Sequence, residues 1–418
     1  MTRRLIALFL FLLTGGCAAI LPRGSTHVLV EELPFKHWRA TYKLPVAQKS
    51  IVFDRSRAVF RAANWKVTWP RNAKWIMARG HETVIFDRPT KLVIVEFFTD
   101  TSDREKDYKL NVAFSDGSRL LYTGHLLIQG PENAFTFHSP SRESIVVPTT
   151  TNDTYVYFGE TYPVRSKRMR LIVDPGLPRW MAAELYERVP PIFDYFATTM
   201  DAELGFEPIT YASYGGPGSG FTFVGGTLDR VVQIEVRGHA WFDQSATATQ
   251  NWFGRAAHEI FHLWESQRFK KRDDGEWLGE ASAEYARVMA MRHFGVINDR
   301  GLQQAVVDAA NQCIGSIGDR NLSTAIPTGS FRIVYSCGLV SQWISGDAFA
   351  IDRRTFSRNA SWGTTEYLQS VREMSQSADA VEQLVHGHTP EPETFLETEL
   401  KKSGIAVTRE GKTLKLND

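Results

Sequence analysis

Two histidines and a glutamate in the stretch 257-AHEIFHLWES-266 have the residue types and the spacing of a metal-dependent hydrolase. On a helix, His258 and His262 lie one turn apart on the same face, so both imidazoles can point at one ion. Two neutral imidazoles suit Zn²⁺, which in catalytic sites usually takes three protein ligands and keeps one position for water. Glu259 flanks the same point, where a carboxylate could take a proton from water that attacks a carbonyl. The alternative is a helix whose two histidines cap a partner or face solvent.

A third ligand is needed, and the stretch 276-EWLGEASAEY-285 offers three glutamates at helical spacing, Glu276, Glu280 and Glu284. A second helix packed against the first could present one of these carboxylates to the ion. A carboxylate one turn further along could hydrogen-bond the outer nitrogen of a ligating histidine and fix its tautomer. We take Glu284 for that role, and we expect Glu276 to be solvated.

Taken together, the two motifs resemble those of the gluzincin metallopeptidases, within them the aminopeptidase-N and glycyl aminopeptidase families. Those proteins carry H-E-x-x-H-x-W followed by W-L-x-E-G-x-x-x-Y. The matching positions beyond the two histidines are Trp264, Trp277, Leu278, Glu280 and Tyr285. The resemblance implies that His258, His262 and Glu280 bind one Zn²⁺ per chain and that Glu259 is the general base. Ala281 departs from the pattern, since glycine is usual there.

A tyrosine further along extends the resemblance. The families have a Y-x-K-G motif whose tyrosine hydroxyl supports the oxyanion, and 334-VYSCGLV-340 places Tyr335 at the matching position. A phenol that donates to the developing negative oxygen stabilises the transition state selectively. Cys337 replaces the lysine of the motif. The alternative is a buried helix tyrosine whose hydroxyl is satisfied elsewhere.

The stretch 225-GGTLDR-230 resembles the strand that binds substrate in these families. An edge strand here would let an extended peptide pair through its backbone, and Gly225 and Gly226 would permit close approach. In the families a glutamate of this strand binds the free α-amine of the substrate. Asp229 is the candidate here, but it is one methylene shorter, so exopeptidase action stays open. An ordinary strand and turn is the alternative.

The N-terminus has the features of a secretory signal. Arg3 and Arg4 precede the apolar run 5-LIALFLFLL-13, which is too short for a bilayer that needs about 20 residues. The following 14-TGGC-17 resembles the lipobox of bacterial lipoproteins, although Thr14 stands where leucine is usual. The likeness implies a signal peptide over 1–16, a lipid on Cys17, and a protein anchored in the cell envelope facing the periplasm, at the outer rather than the inner membrane. Plain cleavage and secretion is the alternative.

Composition and pattern indicate an α+β protein. Lys and Arg number 48 against 47 Asp and Glu, which gives no basic excess for nucleic acid. Short apolar and alternating runs predict an all-β sandwich domain over 17–175. Beyond it we expect a catalytic domain over 176–403, a small sheet plus a mainly helical part, and a tail or hairpin over 404–418. The resemblance implies that this catalytic domain is thermolysin-like. Cys313 and Cys337 could form a disulfide or be two separately buried thiols.

The sequence therefore predicts a zinc-dependent peptidase of the bacterial cell envelope, with peptide or protein substrates and aminopeptidase action as one form of the activity. The alternative is a peptide-binding or scaffolding lipoprotein that retains the fold without turnover. Both alternatives place zinc at His258 and His262.

Overall fold

The computed structural model describes residues 24–417 except for 36, 55–59, 99–107, 140–152, 160, 162, 167, 359 and 360. The predicted signal peptide and Cys17 lie outside the described residues. Within them the chain forms two compact units, residues 24–98 with 124–139, and residues 108–123 with 153–417. The second unit thus includes segments 108–123 and 153–175, which the sequence pattern groups with the β domain.

The first unit is built on a sheet of six strands. These strands are β1 Thr26–Leu33, β2 His37–Val52, β3 Trp65–Trp69, β4 Lys74–Ala78, β5 His81–Phe98 and β8 Asn133–His138. Their order is β3-β5-β2-β1-β8, with β4 also on β5, and β1 pairs in parallel with β8. Along β1 buried and partly exposed residues alternate, as expected for a strand with one face on the core. A short helix, α1 (Phe60–Asn64), precedes β3.

The second unit contains two sheets and a terminal hairpin. A three-stranded sheet consists of β6 Asn111–Ala113, β7 Arg119–Tyr122 and β9 Tyr155–Phe158. A five-stranded sheet consists of β10 Val164–Arg165, β11 Arg170–Val173, β12 Ile209–Tyr214, β13 Thr222–Leu228 and β14 Val231–Arg237. Its order is β10-β11-β12-β14-β13, so β13 is an edge strand, antiparallel to β14. The strands of the hairpin are β15 Val407–Glu410 and β16 Thr413–Leu416.

The rest of the second unit is helical. Its helices are α2 Arg179–Glu187, α3 Val189–Thr199, α4 Ala246–His262, α5 Glu276–His293, α6 Asp299–Ile317, α7 Leu322–Ala325, α8 Phe331–Ile344, α9 Ala348–Ser357, α10 Thr364–Met374, α11 Ala378–His386 and α12 Pro392–Lys402. In the described part of the chain, every helix is too short or too polar to cross a membrane.

Helix α4 carries the predicted zinc motif on a well-fixed element. It begins at the N-cap Ser245, whose hydroxyl accepts a hydrogen bond from the backbone N–H of Ala248 at 3.1 Å. Apolar residues on more than one side of it, Trp252 and Phe261 among them, are buried in the large core of the unit. A π-helical turn, Leu263–Arg268, continues the helix beyond His262. Such turns are rare and occur often at functional sites.

The two cysteines of the second unit form a disulfide. Cys313 of α6 and Cys337 of α8 are joined and both fully buried. Of the two alternatives that the sequence leaves open, the structure shows the disulfide. It ties α6 to the helix that carries Tyr335.

Candidate metal centre

Two imidazoles and one carboxylate converge at the facing surfaces of α4 and α5. The Nε2 atoms of His258 and His262 are 3.2 Å apart. Oε2 of Glu280 lies 3.2 Å from the first and 3.7 Å from the second. The structure thus brings together the three residues predicted as ligands, as a group that could hold a metal ion.

The outer nitrogens of both histidines face carboxylates. Nδ1 of His258 lies 3.0 Å from Oε1 of Glu284, but the N–H···O angle between them is too bent for a regular hydrogen bond. Nδ1 of His262 forms a hydrogen bond with Oε1 of Glu265 at 2.8 Å. A carboxylate at Nδ1 holds the proton there and leaves the lone pair of Nε2 free. Three electron pairs, two from nitrogen and one from oxygen, therefore point at the same place, which is unfavourable unless a cation lies between them.

The size and chemistry of this triangle fit zinc. With Zn–N distances of about 2.0–2.1 Å, neighbouring ligands of a tetrahedral ion lie roughly 3.3 Å apart. The triangle has edges of 3.2, 3.2 and 3.7 Å. Two imidazoles and a carboxylate are also the donors of one of the common catalytic zinc sites.

Charges around the triangle favour a positive charge at its centre. Burial opposes protonation of His258, but contacts with Glu280 and Glu284 outweigh it and raise the pKa of the imidazole to about 10. Burial would raise the pKa of the Glu280 carboxyl, yet His262 and His258 hold it down to about 2. The carboxylates thus stabilise a cation where the two Nε2 atoms meet.

Glu259 lies against the edge strand β13. A Cβ atom added to Gly225 would lie only 2.6 Å from Oε1 of Glu259, so glycine at this position makes room for the carboxylate. The Thr227 hydroxyl donates a hydrogen bond to the backbone carbonyl of Glu259 at 2.5 Å. Burial raises the pKa of the Glu259 carboxyl above its ordinary value, against the opposing charges of the two histidines. The predicted general base and the predicted substrate strand are therefore in contact.

The ring of Tyr335 lies beside that of His258. The ring centroids of Tyr335 and His258 are 5.9 Å apart. Burial, and then the charges of Glu280 and Glu259, raise the pKa of the phenol, so the hydroxyl stays a proton donor. A cavity of about 530 Å³, lined from α4, α5, α6 and α8, adjoins this side chain.

Close packing of two helices brings Tyr335 to this position. A Cβ atom on Gly338 of α8 would lie 2.7 Å from the Cβ of Ala281 on α5. Gly338 thus accommodates the alanine that replaces the usual glycine of the family motif. The helices approach closely one turn from Tyr335 on α8 and next to Glu280 on α5.

The other predicted substrate-binding residues lie further along β13. Gly226 faces the opposite side of the strand, where an added Cβ would overlap the ring of Tyr108. Asp229 lies in the turn between β13 and β14, with its backbone N–H 3.4 Å from the carbonyl of Asp153. Asp229 is four residues beyond Gly225, which is roughly 13 Å between Cα atoms in an extended chain. The structure therefore places Gly225 at the centre and Asp229 at the far end of the strand.

Sequence reasoning missed a pair of charged residues behind His262. Glu265 is 1% exposed, and Nζ of Lys271 lies 3.3 Å from its Oε1. Gly279 of α5 makes room for both, since an added Cβ would lie 2.9 Å from that Nζ and 3.0 Å from Oε2 of Glu265. The available signal was the three-residue spacing from His262 to Glu265, which places the two on one helix face. The role of Lys271 depends on packing and had no local signal.

Comparison with known proteins shows the fold of the chain. No protein-family model and no curated protein sequence matches it. An aminopeptidase N family protein from Idiomarina loihiensis superposes with a TM-score of 0.65 at 8% identity, covering 92% of this chain and 79% of that chain. A mutant M1 zinc metallopeptidase from Deinococcus radiodurans, bound to a Tyr-Ser-Ala substrate, gives 0.52 at 15% identity, covering 88% and 95%. Yeast LTA4 hydrolase in complex with bestatin gives 0.50 at 12% identity, covering 87% and 67%. The chain therefore has the mixed α+β fold of the M1 zinc metallopeptidases.

Proposed function

We propose that this protein is a zinc-dependent peptidase of the gluzincin type. The observation that carries the proposal is the triangle of two imidazole nitrogens and one carboxylate oxygen, with a further carboxylate, Glu259, beside it. His258, His262 and Glu280 would hold the ion. When bound, Zn²⁺ supplies Lewis-acid chemistry, polarising a carbonyl and lowering the pKa of water.

The side chains around the triangle have distinct roles in peptide hydrolysis. Glu259 accepts a proton from the attacking water and returns it to the leaving amine. Tyr335 donates a hydrogen bond from its hydroxyl to the carbonyl oxygen as negative charge develops there. Glu284 and Glu265 keep both histidines in the tautomer that is protonated at Nδ1, so that the lone pair of Nε2 faces the ion.

A peptide is the substrate that the surroundings of the centre favour. β13 is the edge of its sheet, so one side of its backbone can pair with an extended chain. Gly225 on this strand lies directly against Glu259, so a paired peptide would pass the centre. The peptide bound to the similar structure from Deinococcus radiodurans supports the same substrate class. Because Asp229 lies at the far end of the strand, the proposal does not require a free amino terminus.

The cell envelope is the proposed location, with a thermolysin-like catalytic domain held at the outer membrane by a lipid on Cys17. The buried Cys313–Cys337 disulfide supports this location, because disulfides persist in oxidising compartments. The pairing also leaves Cys17 as the remaining cysteine of the three in the chain.

Replacing Glu259 by glutamine tests the function. Glu259→Gln should lower kcat about 10²- to 10⁴-fold, since it removes the proton acceptor, and should leave zinc content at one ion per chain. The assay uses zinc-loaded protein and a peptide library with free and blocked amino termini, with products identified by mass spectrometry. Glu276→Gln, on the exposed face of α5, is the matched control and should keep full activity.

Two results would contradict the proposal. Wild-type protein that contains zinc but cleaves no peptide of the library would favour the scaffolding alternative. Purified protein that binds no zinc and is indifferent to chelators would remove the metal centre itself.

A further inference from the structure

Arg255 is a charged residue next to the candidate centre that none of the assigned roles uses. It lies on α4 one helical turn before Glu259, on the face that carries the zinc motif. Its side chain is 51% exposed, and its Nη1 lies 4.0 Å from Oε1 of Glu284. It is therefore a half-exposed cation that borders the site.

The carboxylate nearest to Arg255 already has closer partners. Nε and Nη2 of Arg287 bind Oε2 of Glu284 at 2.8 and 2.7 Å. Nδ1 of His258 lies 3.0 Å from Oε1. Arg287 is the more buried of the two guanidiniums, at 25% exposure, and its side chain packs on Gly254 of α4. The negative charge of Glu284 is thus shared by two guanidiniums. Arg255 is the more exposed of the two, and Glu284 leaves N–H donors of its guanidinium free for another acceptor.

Arg255 lies between the two turns of α4 that adjoin β13. Its Nη1 lies 4.0 Å from Oε1 of Glu284, and that oxygen lies 3.0 Å from Nδ1 of His258. Phe223 of β13 packs near Trp252 of α4, and Gly225 contacts Glu259, so the strand and the helix run side by side in this region. A chain held on β13 would continue from the centre past the helix turn that carries Arg255.

We propose that Arg255 binds a carboxylate of the peptide substrate close to the bond that is cut. This inference rests on the proposed peptidase function and assigns its substrate class. Arginine presents a planar fork of N–H donors that matches a carboxylate, and such charge-assisted pairs are among the stronger hydrogen bonds in proteins. The carboxylate is that of an aspartate or glutamate side chain, or the free C-terminus of a short peptide.

Matched peptide pairs test the inference. The first kind of pair compares glutamate with glutamine next to the scissile bond, and it is made for each side of that bond. The second kind compares a free C-terminal acid with a C-terminal amide. In one of the pairs, we expect wild-type protein to cleave the carboxylate-bearing peptide with a kcat/KM about 10- to 100-fold higher than that of its neutral counterpart. Arg255→Gln should bring this ratio of kcat/KM values towards unity. The pair whose ratio changes identifies the source of the carboxylate. Arg255→Lys should keep part of the preference, because it retains the charge without the fork.

Arg287→Gln is the control for a merely structural role. Arg287 acts through Glu284 and His258, so its loss should lower the rate for all of these peptides alike and leave the ratios unchanged. If Arg255→Gln behaves in the same way, Arg255 only positions Glu284 and the inference is wrong. Equal cleavage of both partners of every pair by wild-type protein would also overturn it, while leaving the peptidase function intact.

A binding measurement keeps the inference testable without turnover. The affinities of the same peptides are measured by fluorescence anisotropy with zinc-loaded Glu259→Gln protein, alone and combined with Arg255→Gln. The carboxylate-bearing peptides should bind about 10- to 100-fold more tightly only while Arg255 is present. Equal affinities in both proteins would contradict the inference even if no peptide is cleaved.

Discussion

At the scale of single residues, the carboxylates behind the histidines determine what the centre can bind. Glu284 and Glu265 each face an Nδ1 atom, so both histidines present Nε2 to the same point. Each carboxylate is itself held by a cation, Arg287 for Glu284 and Lys271 for Glu265. The lone pairs that would bind zinc are therefore oriented by side chains that do not touch the ion.

Removing one of these supports should weaken metal binding without removing a ligand. Glu284→Gln no longer holds the Nδ1 proton of His258 by a charge, and we expect zinc affinity to fall about 10- to 100-fold. Competition with a chromophoric chelator measures this affinity, and circular dichroism verifies that the variant is folded. Glu276→Gln, on the same helix, should bind zinc as the wild type does. An unchanged affinity in Glu284→Gln would show that the tautomer of His258 is held by other means.

At the scale of elements, the site depends on how closely β13 approaches α4. Thr227 bonds to the backbone of Glu259, and Gly225 allows the carboxylate of that residue to lie against the strand. A larger residue at position 225 would have to push the general base or the strand away. Glycine here is thus required by close approach and not by a turn.

Gly225→Ala should separate catalysis from metal binding. The new Cβ would lie 2.6 Å from Oε1 of Glu259, so the carboxylate has to move. We expect kcat to fall about 10²-fold, because displacements of about 1 Å have effects of that size, while zinc affinity stays at the wild-type value. Gly315→Ala in α6 is the control, since nothing lies within 4 Å of its added Cβ. A Gly225→Ala variant with wild-type kcat would show that Glu259 tolerates the shift.

At the scale of the whole molecule, the cysteines connect the fold to the proposed location. Two of the three are paired across α6 and α8, which suits an oxidising compartment. The third, Cys17, follows the predicted signal segment and is the proposed site of lipidation. Among the described residues, no helix is both long and apolar enough to span a membrane.

Replacing Cys17 tests this anchor. Cys17→Ser removes the thiol that would carry the lipid, and we expect the protein to move from the membrane fraction to the soluble fraction. Cell fractionation and detergent phase partitioning measure the change, because acyl chains bind membranes by burying their methylene groups. Thr14→Leu restores the usual lipobox residue and should stay membrane-bound. Retention of Cys17→Ser in the membrane fraction would contradict lipid anchoring.

Sequence alone determined those features of the site that follow from local geometry. The four-residue spacing of His258 and His262 places both rings on one helix face whatever the rest of the chain does. The same rule put Glu280 and Glu284 one turn apart, and the resemblance to known zinc peptidases selected Glu280 as the ligand. In the structure, Oε2 of Glu280 lies 3.2 and 3.7 Å from the two Nε2 atoms, and its role as a ligand stays a prediction.

Tertiary structure decided the features that depend on contacts between distant segments. The disulfide, the contact of Gly225 with Glu259 and the position of Asp229 at the far end of β13 all follow from how helices and strands pack. The same holds for Lys271 behind His262 and for Arg255 at the border of the site. Periodicity orients a side chain on its own helix or strand, but only packing determines which other side chains it meets.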